Sequence, residues 1–268
     1  MDFDALVEKY KKLGIPTPSR EMIKTPEQIQ GIKEAGIINT KVLDYVEQHI
    51  RVGMSTEEID QLVAQKTKEL GGICAPLGYE GFPKSVCTSI NDQVCHGIPD
   101  VHTILKNGDI INVDCTTIYK GYYADASRMF LIGDVDEEAK RLVKVTKECL
   151  DLAVQKLKPF SRLRDIGFYI EKHAKQNGFS VVHEIGGHGV GNGFHEDPFI
   201  YHYGIKNTGM VLFPGMVFTI EPMINEGSRK VFLDAENNWT IYTDDGGWSS
   251  QFEYTVLITE TGVQILAH

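Results

Sequence analysis

An α+β chain of two similar halves, closed around a central site, is the fold class this sequence predicts. Three observations carry that expectation. The order helix, helix, strands occurs twice. The two runs align at a nearly constant offset: Met54-Ser55 with Phe160-Ser161 and Gly72 with Gly178 at 106 residues, Asn107-Gly108 with Pro214-Gly215 at 107. Both aligned strands, 109–114 and 216–221, end in a carboxylate, Asp114 and Glu221. Internal duplication closed on itself is the simplest architecture with these marks.

The elements follow in order. Phe3, Leu6, Val7, Tyr10 and Leu13 recur at helical spacing, and Pro16 and Pro18 then break the pattern. Residues 1–24 therefore read as an N-terminal extension, a short helix plus an extended linker packed on the body, with residues 25–268 as one catalytic domain. Thr25-Pro26-Glu27-Gln28 and Ser55-Thr56-Glu57-Glu58 each have the form of a capping box, the first with Pro in the first turn. Gly71-Gly72 stops the second of these helices. After a loop-rich stretch, 109–118 and 122–132 read as strands of a hairpin turning near Lys120-Gly121. Asp136 opens a long helix to Lys158, and Ser161 opens another that closes at Asn177-Gly178. Segments 181–185, 216–224 and 252–259 read as strands.

Composition narrows the function. The chain has 268 residues, with 37 acidic against 27 basic side chains and a net charge of −10. Sequence-independent binding to nucleic acid or to an anionic membrane needs a basic surface, so neither is expected. No apolar run is long enough to span a bilayer, and the charged start lacks a signal peptide's apolar stretch. Five cysteines, Cys74, Cys87, Cys95, Cys115 and Cys149, are an odd number with no C-x-x-C spacing, which argues against a disulfide framework or a zinc knuckle. A cytoplasmic, reduced protein is expected, and no heptad or long apolar stripe suggests anything but a monomer.

The chemistry lies in carboxylates and histidines. A hairpin turn at Tyr119-Lys120 sets Asp114 opposite Asp125. A turn at Lys120-Gly121 leaves them diagonal on one face, and a three-residue loop separates them unless a bulge intervenes. Gly186-Gly187-His188-Gly189-Val190-Gly191 packs glycines around a histidine, as where backbone must approach a ligand closely. Glu221 ends an apolar strand and Glu253 sits inside another. A carboxylate in an apolar strand is costly unless paired or bound to metal. Each residue alone has a bland reading as a turn histidine or a salt-bridge acid; the conjunction does not. Four carboxylates and one imidazole make a hard, oxygen-rich set whose charge two divalent cations would balance. Two such ions can share a hydroxide and aim it at a carbonyl or phosphoryl centre. Spacing does not choose between those electrophiles.

Five blocks in order, GFPKSVCTSINDQVCHGIPD (81–100), INVDCTTIYKGYYADASRMF (111–130), GGHGVGNGFHEDP (186–198), FTIEPM (218–223) and SQFEYT (250–255), make the chain resemble the type I methionine aminopeptidases of peptidase family M24 over residues 25–268. The resemblance implies the pita-bread fold and two ions, Mn, Fe, Co or Zn, held by Asp114, Asp125, His188, Glu221 and Glu253. It implies that a hydroxide bridging them attacks the scissile carbonyl. It further implies that His96 contacts the scissile amide, that His195 donates to the carbonyl oxygen, and that Glu221 relays a proton. Tyr79, Phe82, Cys87, Phe194 and Trp239 would form a methionine pocket, with nascent polypeptide N-termini as substrates and the ribosome as an encounter partner. The second residue of the substrate is expected to be small. Pro76, Ala126 and Tyr254 depart from the family's usual Cys, Thr and His. Related X-Pro peptidases usually carry a further N-terminal domain, for which 24 residues do not suffice. Type II enzymes usually carry a long insertion where only 25 residues, 196–220, stand here. A metal-free binding protein of this fold should have lost ligands, and a dinuclear phosphatase leaves the paired histidines and the aromatics unexplained.

Overall fold

Thr25 and Ser55 each start a helix by a reciprocal cap. The Thr25 hydroxyl accepts from the Gln28 N–H while the Gln28 side chain accepts from the Thr25 N–H, and Ser55 and Glu58 do the same. The computed structural model describes residues 2–268. Its α-helices are α1 (Phe3–Lys12), α2 (Pro26–His49), α3 (Thr56–Glu69), α4 (Glu137–Lys156) and α5 (Arg164–Gln176). None is long and apolar enough to cross a membrane. The apolar stripe of α1 lies on the body, where Phe3, Leu6, Val7 and Tyr10 pack against a buried cluster that includes Phe213.

The hairpin Ile110–Tyr119 with Tyr122–Leu131 pairs Tyr119 with Tyr122, so Lys120 and Gly121 form the turn. Both have positive φ, 51° and 84°, as a tight two-residue turn of matching twist requires. Asp114 then pairs with Ser127 and Thr116 with Asp125. The two aspartates are diagonal neighbours on one face.

The second half repeats this plan on other strands. Val217–Ile220 lies between Tyr254–Ile258 and Gly187–Gly189 in a five-stranded sheet. The expected strand 216–224 is broken at Glu221-Pro222: Met223–Asn225 leaves this sheet and pairs with Ser249–Gln251 in another. Likewise only Val181 of the expected 181–185 is strand, the strand being Ser180–Val181. Buried apolar side chains form one cluster under α2 and α3 and another under α4 and α5. The halves meet where Ser127 and Glu253 form an isolated antiparallel bridge.

The offset is uniformly 107, not 106 in the helical part. Gly53 N–H donates to Leu105 O and Phe160 N–H to Leu212 O; Leu105 N–H donates to Met54 O and Leu212 N–H to Ser161 O. Gly53 and Phe160 share positive φ, 85° and 70°, as do Gly71 and Gly178, 80° and 81°. Ser161 is therefore the counterpart of Met54 and does not cap α5. Its hydroxyl accepts from Lys158 N–H instead. At the true counterpart of Ser55, Arg162, only half of the box survives: Asp165 accepts from the Arg162 N–H as Glu58 does from Ser55.

Candidate metal centre

Strand alternation delivers the acids to one place. Asp114 and Asp125 project from the same face of the first hairpin, Glu221 stands at the break between two sheets, and Glu253 is itself in the bridge that joins the halves. A cavity of about 750 Å³ is lined by all four, together with His96, His188, His195, Tyr79, Phe82, Cys87, Phe194 and Trp239. Every site residue expected from the sequence is on its wall. No lysine or arginine is among its lining residues.

Asp125, Glu221 and Glu253 are buried, and Asp114 is half-buried with its carboxylate on the cavity. Asp125, His188 and Glu253 can offer one ligand atom each within 4.8 Å of one another. His188 Nε2 lies 3.8 Å from Asp125 and 3.6 Å from Glu221. Loss of water pushes the Asp114 carboxyl up to about 7, and the Glu221 carboxyl up to about 8 with the Asp114 charge adding to it. Burial and then the charge of Asp114 raise Asp125 well above the usual range; burial and then Asp125 do so for Glu253.

The surroundings orient these groups. His188 Nδ1 lies 3.0 Å from Gly189 O, so it carries the proton and leaves the Nε2 lone pair facing the acids. Burial pushes the same imidazole down to about 3, keeping it neutral. Thr116 donates to Asp125 at 2.8 Å, Thr219 to Glu221 at 2.6 Å, and Gln251 to the other Glu221 oxygen at 3.3 Å. His202, buried behind the site, accepts the Glu221 N–H. These donors escaped the sequence reading. Thr116 and Thr219 carry a weak signal, each standing two residues from a ligand candidate and so on its face; Gln251 and His202 carry none.

The donor set fits hard divalent cations. Four clustered carboxylates with no cation in the wall leave negative charge unbalanced, and one neutral imidazole turns a lone pair toward them. Beside this cluster, the Phe194 ring packs 4.7 Å from Tyr79, and Phe82 meets Trp239 edge-on at 5.2 Å. Burial pushes the Cys87 thiol up, so it is protonated and apolar in character. His195 stacks on Phe194 at 4.3 Å and faces the Tyr79 hydroxyl through Nδ1 at 2.9 Å. His96 has φ 55° and is pushed down to about 4 by burial and by His195. Of the departures, Pro76 lines the cavity. Ala126 and Tyr254 each follow a ligand candidate and point to the other side. Ala126 lies in the first core, and the Tyr254 hydroxyl donates to Asp151. Neither touches the pocket.

Comparisons agree with this geometry. The model of metallopeptidase family M24 matches residues 30–260. Methionine aminopeptidase A of Synechocystis is 48% identical over 89% of this chain and 94% of its own length. The Escherichia coli methionine aminopeptidase is 45% identical over 91% and 92%. The crystal structure of methionine aminopeptidase from Rickettsia prowazekii superposes with a TM-score of 0.90 at 41% identity, covering 92% of this chain and 99% of that one.

Proposed function

The chain belongs to the methionine aminopeptidases of metallopeptidase family M24, with their pita-bread fold, and we propose that it removes the N-terminal methionine from nascent proteins and peptides whose second residue is small. The observation that carries this reading is a single cavity, without lysine or arginine in its lining, in which the four-carboxylate cluster adjoins the aromatic side chains of Tyr79, Phe82, Phe194 and Trp239. Asp114, Asp125, His188, Glu221 and Glu253 would hold two divalent ions. Bound there, the ions supply Lewis acidity and a nucleophilic water at neutral pH.

The chain's own groups do the rest. With the Tyr79 hydroxyl donating across its 2.9 Å contact to His195 Nδ1, the ring proton would stand on Nε2, the tautomer needed to donate to a carbonyl oxygen gaining charge. His96, neutral at pH 7, holds the scissile amide by a hydrogen bond and adds no charge of its own. Glu221, held by Thr219 and Gln251 at the cavity wall, is the group placed to take a proton and return it to the leaving amine. Tyr79, Phe82, Cys87, Phe194 and Trp239 receive the methionine side chain. Burial of that side chain is worth ~1.5–3 kcal/mol, and sulfur against ring edges adds to it. We propose that it acts in the cytoplasm, on chains as they leave the ribosome.

The test is cleavage of short peptides by metal-reconstituted protein. Met-Ala-Ser should be hydrolysed well, and Lys-Ala-Ser, Met-Leu-Ser and Ala-Pro peptides poorly. Comparable kcat/KM for Met-Ala-Ser and Lys-Ala-Ser would reject the pocket. Comparable values for Met-Ala-Ser and Met-Leu-Ser would reject only the small second residue.

A further inference from the structure

Lys24 is the last residue before the cap of α2, and its side chain is 1% exposed. Its ammonium pairs with Glu196, 172 residues away in sequence. A buried lysine held by one carboxylate adds little net stability compared with an apolar side chain in its place. What the pair fixes is geometry. The other oxygen of Glu196 accepts the N–H groups of Asn192 and Gly193, both at 2.7 Å, and so closes the loop 191–196. The stem of Lys24 lies under the same loop: a Cβ at Gly191 would come 3.5 Å from its Cε. The lysine is itself anchored, since its N–H donates to Gly215 O and Ile23 bridges Met216. The loop so closed carries Phe194 and His195 on the cavity wall.

We infer that Lys24 is a positioning residue for catalysis: through Glu196 it sets the loop that aims His195 at the substrate carbonyl. This makes the linker between α1 and α2 part of the active-site support. The inference rests on the role given to His195 above.

The experiment compares metal-loaded wild type, Lys24→Met, His195→Ala and the double variant, by kcat, KM, metal content and amide hydrogen exchange. Lys24→Met should lower kcat about ten- to a hundredfold, as small misplacements of a catalytic group do, with KM and metal content near wild type. Exchange should quicken at Asn192 and Gly193 and stay unchanged in α4. In the His195→Ala background the same substitution should cost less than about twofold, because the residue it positions is gone. A lysine that merely stabilises the fold predicts unchanged kcat at temperatures where the protein is folded, and that result overturns the inference. Equal losses in both backgrounds overturn it too. A full-strength His195→Ala enzyme overturns the reading of His195 itself, and with it this inference. Should Lys24→Met fail to fold, Glu196→Gln, which keeps the one oxygen that accepts both N–H groups and drops the charge facing Lys24, takes its place under the same outcomes.

Discussion

Protein stripped of metal by a chelator should lose stability as pH rises from 6.5 to 8, and metal-loaded protein should not. In the folded, metal-free site Glu221 holds its proton up to about 8, and Asp125 and Glu253 hold theirs well above the usual range. The unfolded chain has released all three by pH 6.5. The folded state therefore binds more protons, and stability falls with rising pH. The histidines act in the opposite sense lower down. His188 and His202 are pushed to about 3 and His96 to about 4, so they favour folding increasingly as pH rises through about 6.5, where the unfolded histidines are half-charged, and level off above about 7.5. Between about pH 6.5 and about 7.5 the histidines offset part of the fall, and above that the carboxylates set the slope.

The three carboxyls retain three protons, less about one for the titration of Glu221 near 8 and the charge the unfolded histidines still carry; two net protons, at about 1.4 kcal/mol per pH unit each, give a fall near 3 kcal/mol per unit. Over the window this is about 4 kcal/mol, or roughly 8–16 °C in Tm for a chain of this size. Metal binds only the folded site and competes with those protons, so its stabilisation grows with pH. Thermal melts at steps from pH 6.5 to 8, with chelator or with saturating Mn²⁺, should give curves that diverge. Glu221→Gln should flatten the chelated curve. Parallel curves, or a chelated protein that gains stability toward pH 8, would show that the carboxylates do not crowd one another as described.

Further outcomes follow from individual contacts. His195→Ala should lower kcat by ~10²–10³ with metal content intact, since it removes a donor and no ligand; loss of metal by elemental analysis would show it misassigned. Calorimetric titration with Mn²⁺ should saturate at two ions per chain, and a limit of one would count against a dinuclear site. Gly36 on α2 leaves no room for a side chain, because a Cβ would stand 2.1 Å from the Leu266 carbonyl oxygen. Gly36→Ala should cost about 1–3 kcal/mol, seen as a lower Tm with the same peptide selectivity; an unchanged Tm would contradict that packing.

What the sequence discloses is what local physics decides. Both capping boxes are written within four residues, and Lys120-Gly121 is a turn because the two strands it joins need positive φ there. The acids stand out because a carboxylate in an apolar strand needs a reason. What stays hidden depends on distant partners. Ser161 imitates a cap, and only the pairing of 160–162 with 211–212 shows which residue it replaces. Glu221-Pro222 reads as a strand until two sheets claim its two sides. Lys24 looks like one more surface lysine, since nothing near it in sequence announces Glu196.

The 107-residue equivalence also explains why the proposed ligand set is not symmetric. Asp114 and Glu221 are counterparts. Val113 pairs with Arg128 in the first half and Ile220 with Tyr254 in the second, so Arg128 corresponds to Tyr254, Ser127 to Glu253 and Asp125 to Gln251. The halves therefore agree on the ligand of the first strand and differ by two residues on that of the second, a step that keeps the side chain on the same face. Ser127 stands where a symmetric site would have a fifth carboxylate, and Gln251 where it would have a sixth. Gln251 is buried and donates to Glu221 at 3.3 Å. A glutamate in its place would set another buried negative charge against Glu221 with no cation left to balance it. The neutral amide holds the count at four carboxylates, the charge two divalent ions can neutralise, and turns the duplicated position into a donor for the ligand beside it.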